Sequence, residues 1–170
     1  IRKIRQWWGS LAILALFPLQ PLLYHHLLPE KQLSILTGRL SQLILLLFGE
    51  NPILNGRVVQ IGNSAVTIGN TCSGIDMIAQ LITIACVFCI AFPIKNRLTS
   101  LVYIVGSGAT AVATNAWRIA LLAVISASTL KNEEQLFDFF HSQWGSFIFG
   151  GVATMIMGRV YLWLIDRSLR

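Results

Sequence analysis

Long apolar runs, each closed by charged or turn-forming residues, restrict this chain more than any other feature. They fall at Trp7–Leu28, Leu33–Phe48, Cys72–Phe92, Leu98–Leu130 and Trp144–Ile165. A bilayer-crossing helix takes about 20 apolar residues, so the spacing predicts an all-α multi-pass membrane protein of about five transmembrane or membrane-embedded helices. Composition agrees, since 55% hydrophobic and only 12% charged residues is far from soluble-domain usage. With most of its 170 residues committed to those runs, residues 1–170 are expected to form one domain.

The formal net charge is +6, which in a soluble protein would raise nucleic acid as a partner. Here the cations sit at run ends and in short gaps, never as an interleaved patch, so lipid headgroups are the expected partner and nucleic acid is not. By the same bias, the loop Pro93-Ile94-Lys95-Asn96-Arg97 and the end Asp166–Arg170 are expected on the cytoplasmic side. The first run opens with Arg2, Lys3, Arg5, Trp7 and Trp8, an interfacial pattern, and reads as a retained anchor rather than a cleaved signal. Pro18 and Pro21 are expected to kink it, and His25 and His26 to pack at the interface. The chain starts at Ile1 rather than Met, which is compatible with a segment upstream.

Leu33–Phe48, with Arg39 and Gln42, is short for a full crossing, so the sequence leaves open whether it spans. Between Gly49 and Asn70, two β-prone stretches, Arg57–Ile61 and Ser64–Ile68, are joined through Gly62-Asn63 and predict a short β-hairpin outside the hydrocarbon. Leu98–Leu130 is too long for one upright span and too short for two, so a break is expected near Gly106, Gly108 or the group Thr114, Asn115 and Arg118. Gly145, Gly150, Gly151 and Gly158 would let the last run pack closely.

Three ionisable residues in or beside these runs point to chemistry. Counted from the charged ends at 1.5 Å per residue, Cys72, Arg118 and His141 each lie roughly 30 to 33 Å away, one hydrocarbon thickness and thus one level. Cys72 is expected to begin a helix, with Thr71 or Asn70 as N-cap, where the helix dipole favours a thiolate nucleophile. His141 would take and return the thiol proton, and Arg118 would offer a fixed positive charge to an oxyanion. The amides of Ser73 and Gly74 are further oxyanion donors. Asn115 lies one turn from Arg118, suited to orienting His141 or the substrate, and Asp76 would pair with Arg118 or meet a basic substrate group.

The order Cys72-Ser73-Gly74, Asn115-x-x-Arg118-Ile119 and His141-x-x-x-Gly145 resembles the exosortase/archaeosortase family, and the compact chain looks like its cyanobacterial branch. The resemblance covers about Leu33 to the C-terminus. It implies an inner-membrane thiol protease or transpeptidase acting on exported proteins that carry a C-terminal sorting tail: a Pro-Glu-Pro-like motif, an apolar helix and a basic end. Within it Cys72 would be nucleophile, His141 base and acid, and Arg118 transition-state stabiliser.

Blander readings stand beside these: Cys72 as a packing residue, Arg118 as a snorkelling interfacial cation, His141 as an interfacial aromatic. The main rival function is a membrane thiol-disulfide oxidoreductase using Cys86-Val87-Phe88-Cys89, although that pair lies deep in an apolar run without an activating charge. A non-catalytic membrane subunit is a third. No metal site is expected, because the histidines lack partners at ligand spacing, and no cofactor is expected.

Overall fold

A computed structural model describes residues 29–69 and 72–169. The first apolar run, Trp7–Leu28 with His25 and His26, lies outside the described residues. The elements are α1 (Glu30–Leu47), β1 (Ile53–Asn55), β2 (Val58–Ile61), β3 (Ser64–Thr67), α2 (Ile75–Ala91), α3 (Arg97–Ala127), α4 (Glu133–His141) and α5 (Gln143–Leu169). Helix α3 is the hub, packed against the other four helices and against β2 and β3.

The break expected in Leu98–Leu130 is absent. Helix α3 runs unbroken for 31 residues, about 46 Å at the usual rise. Its polar residues do not unwind it because each finds a partner with the helix intact. Thr110 and Thr114 hydroxyls bond to the carbonyls of Gly106 and Thr110, while Asn115 and Arg118 reach neighbouring segments. Asn96 caps its start, accepting from the Leu98 amide at 2.9 Å.

A second expectation also fails. Cys72 does not begin a helix: α2 starts at Ile75, with Gly74 as its N-cap at φ +90°. That left-handed backbone is open to glycine and strained for other residues, so the chain turns sharply between the cysteine and the helix. Cys72 lies in the turn before it, its amide bonded to the Gly69 carbonyl at 3.1 Å. At the other end of α2, the Tyr161 hydroxyl reaches from α5 to the carbonyls of Phe88 and Phe92. The Phe92 carbonyl is one that a helix C-terminus leaves without an intrahelical partner, while the Phe88 carbonyl also accepts from the Phe92 amide at 2.9 Å.

The hairpin is one part of a three-stranded antiparallel sheet in the order β1-β2-β3. Val58 pairs with Thr67 and Ile61 with Ser64, and the added strand pairs Asn55 with Val58. Gly56 and Gly62, at φ +61° and +57°, take the first central position of the two tight turns, the place a type II′ turn reserves for glycine. β1 escaped the sequence reading because three residues carry no alternation. The sheet's inner residues Val59 and Val66, with Ile68 just after β3, form one cluster with Leu45, Cys72, Ile119 and Leu122.

Helix α1 turns its small and polar residues inward, with Ser34, Thr37, Gly38 and Ser41 buried. Leu36, Leu43 and Leu46 face out. Apolar-out and small-polar-in is the pattern of a helix surrounded by lipid. Two helices, α3 and α5, are long and apolar enough to cross a membrane by length and composition, and α2 is apolar but shorter.

Candidate active site

Two α3 side chains one turn apart hold the segments that carry the cysteine and the histidine. Asn115, 1% exposed, donates from Nδ2 to the Cys72 carbonyl at 2.9 Å. Gly74 lies against this amide so closely that a Cβ there would stand 2.8 Å from Nδ2. The next carbonyl, that of Ser73, accepts from the Thr37 hydroxyl at 3.3 Å. Ser41 in turn joins α1 to α3, donating to Ala116 at 2.9 Å and contacting the Thr37 carbonyl at 2.8 Å. The cysteine turn is thus gripped by its main chain from two helices.

Arg118 grips the other segment in the same way. Only 3% exposed, its guanidinium donates from Nε to the Phe140 carbonyl at 2.9 Å and from Nη2 to His141 at 2.6 Å and Ser142 at 3.3 Å. These carbonyls close the C-terminus of α4, where the helix dipole's negative end favours a cation. Helix α5 begins immediately beyond this corner. A Cβ on Gly145 would overlap the Phe140 carbonyl, far inside the 3.0 Å limit for real Cβ contacts, so only glycine lets α5 pass there.

Arg118 is also within electrostatic range of Cys72. Cys72 itself is 2% exposed, in a cluster against which Phe137 and Phe140 of α4 pack. His141, the last residue of α4, has an exposed side chain stacked on Phe137 with centroids 5.4 Å apart. The structure therefore brings the Cys72 turn, Asn115, Arg118 and the His141 backbone into one assembly. Arg118 is no snorkelling cation, because it is itself buried and its Nε and Nη2 donate to main-chain carbonyls.

Two expected roles change. Asn115 orients the cysteine turn rather than His141, since its amide reaches the Cys72 carbonyl. The hydrogen bonds of Arg118 go to carbonyls and not to Asp76, which stands exposed on the first turn of α2. Ser73 and Gly74 are buried in the turn itself, with the Ile75 amide 3.5 Å from the Ser73 hydroxyl. Sequence reasoning missed Thr37, Ser41 and Phe137. The i, i+4 spacing of Thr37 and Ser41 on an apolar helix was the available signal for the first two. Cys86 and Cys89 lie elsewhere, at the far end of α2, lining a cavity with Lys95 and Arg97.

The family model described as transmembrane exosortase (Exosortase_EpsH) matches residues 1–158. The chain belongs to the transmembrane exosortase family. No curated protein and no solved structure matches it. Exosortase membership and the two long apolar helices together make it a membrane protein, in a family of cysteine-type transpeptidases and proteases.

Proposed function

We propose that this exosortase is an inner-membrane cysteine peptidase or transpeptidase that cleaves C-terminal sorting tails from exported proteins through an acyl-enzyme on Cys72. Its tail signal would be Pro-Glu-Pro-like, its site would face the outer side of the membrane, and the apolar helices, with the first run, would embed it there. The observation that carries the reading is the hold of one α3 turn on both partner segments: Asn115 on the Cys72 carbonyl and Arg118 on the His141 corner. Helices place reacting groups more reproducibly than loops, and a misplacement of about 1 Å can cost about a hundredfold in rate.

In this reading the Cys72 thiol loses its proton to His141 and the sulfur attacks the scissile carbonyl. Arg118 and the amides of Ser73 and Gly74 stabilise the oxyanion. The carbon–nitrogen bond breaks, the leaving amine takes the proton from His141, and a thioester remains on Cys72. Water or another nucleophile then gives its proton to His141 and attacks the thioester, and the returned proton restores the thiol. Asn115 Oδ1 is buried and without a partner among the described residues. It offers an acceptor to a substrate amide, which would offset the roughly 1–3 kcal/mol that such a group costs when unpaired.

The test is co-expression with an exported protein bearing such a tail, comparing the parent with Cys72→Ala, Arg118→Ala and His141→Ala by mass of the exported product. Full-length tails are expected in all three variants. Normal processing by Cys72→Ala removes the nucleophile and with it the mechanism.

A further inference from the structure

At the end of the bundle away from Cys72, α2 and α3 part around a cavity of about 410 Å³. Its mouth carries Lys95, Arg97 and Ser100, and its walls run inward past Cys89 and Ile90 to Cys86 and Ile104. No carboxylate is among its described lining residues. Lys95 and Arg97 are exposed, while the two thiols are half-buried along the groove. From Lys95, in the loop after α2, the lining runs back to Cys86, about one and a half turns inside the Ala91 end of α2, so the cavity is cationic at one end and apolar at the other. Beside it α3 exposes Leu98 and Leu101, at 66% and 57%, on the surface a membrane would cover.

We infer that this groove binds one anionic phospholipid, the phosphate at Lys95, Arg97 and Ser100 and an acyl chain along α2 over Cys89 and Cys86. Each part of the ligand meets its own chemistry. The headgroup phosphate meets two cations and a hydroxyl, with no carboxylate among the described lining residues, and each cation near a membrane surface contributes about a fivefold preference for anionic lipid. The chain meets isoleucines and thiols, and free cysteine behaves there as a small apolar side chain. This also gives Cys86-Val87-Phe88-Cys89 a reason to be small and apolar on the groove side without redox chemistry. A free phosphate would use the mouth alone and leave the thiols uncovered.

That difference supplies the test. In Cys72→Ala protein only Cys86 and Cys89 remain as thiols. Their alkylation by N-ethylmaleimide is followed by mass spectrometry in micelles containing phosphatidylglycerol, phosphatidylcholine, or detergent with inorganic phosphate. Phosphatidylglycerol is expected to slow alkylation severalfold and the other two are not. Lys95→Gln with Arg97→Gln should lose the protection, and Lys95→Arg with Arg97→Lys should keep it, which separates lost charge from a disturbed fold. Equal protection by phosphatidylcholine, protection by phosphate alone, or protection surviving in the double Gln variant each overturns the assignment.

Discussion

Gly145 lies against Phe140 with no room for a methyl group: a Cβ there would fall inside the Phe140 carbonyl that Arg118 Nε holds at 2.9 Å. The close passage keeps α5 tight on the α4 corner and leaves that carbonyl aimed at the guanidinium. Gly145→Ala should therefore push the corner off Arg118 and move His141 with it. We expect tail processing to fall at least about tenfold, in line with the sensitivity of rates to small misplacements. Gly151→Ala, whose Cβ meets nothing within 4 Å, should process normally. Equal activity of the two variants would falsify the positioning argument.

Asn115 and Gly74 form the corresponding contact on the cysteine side. Asn115→Asp keeps the shape but replaces the donor facing the Cys72 carbonyl with an acceptor, and brings negative charge towards a sulfur that must itself become negative. Alkylation of Cys72 by iodoacetamide, measured with Cys86 and Cys89 changed to Ser, should slow by about tenfold or more for Asn115→Asp. Asn115→Ala should slow it less. An Asp variant that reacts as fast as the parent would mean that the amide does not govern the thiol.

What the sequence disclosed and what it hid follow a physical division. Apolar run lengths located α2, α3 and α5, and the glycine-bounded β-prone stretches located β2 and β3, because burial and turn chemistry are written in side chains. The break assigned to α3 was wrong for a related reason: Asn115 and Arg118 look disruptive in a list of residues, yet both bond to main-chain carbonyls that no residue type announces. Gly74 concealed the start of α2, since a glycine beside a cysteine reads equally as helix or turn until its φ is known. Helix α4 went unassigned, because it has no fully buried face to set a period. Depth counting placed Cys72, Arg118 and His141 at one level, but it gave no indication that the histidine's backbone, rather than its ring, is what Arg118 holds.

Arg118→Lys tests geometry apart from charge. The guanidinium fork reaches three successive carbonyls, and a single ammonium cannot reproduce that spread. Losing a hydrogen bond to a charged group costs about 1.5–3 kcal/mol. Trypsin cleavage at Lys131, just before α4, should therefore be faster in Arg118→Lys than in the parent, and processing should be lost despite the retained charge. Parent-like proteolysis together with lost activity would instead assign Arg118 to the chemistry alone.

The remaining prediction separates a protease from a thiol oxidoreductase on the same scaffold. Cys86 and Cys89 are spaced one helical turn apart near the Lys95 end of α2, whereas the Cys72 turn is bound to Asn115 at the level of the His141 corner. A redox enzyme would depend on the pair and a tail-cleaving enzyme on the single cysteine. Ser is close to Cys in size, and both thiols are only half-buried, so Cys86→Ser with Cys89→Ser should change stability by no more than about 1 kcal/mol. Tail processing by this double variant is expected within about twofold of the parent, which corresponds to less than 1 kcal/mol in the barrier. Loss of processing in the double variant, with Cys72→Ala still active, would move the chemistry to the other end of α2.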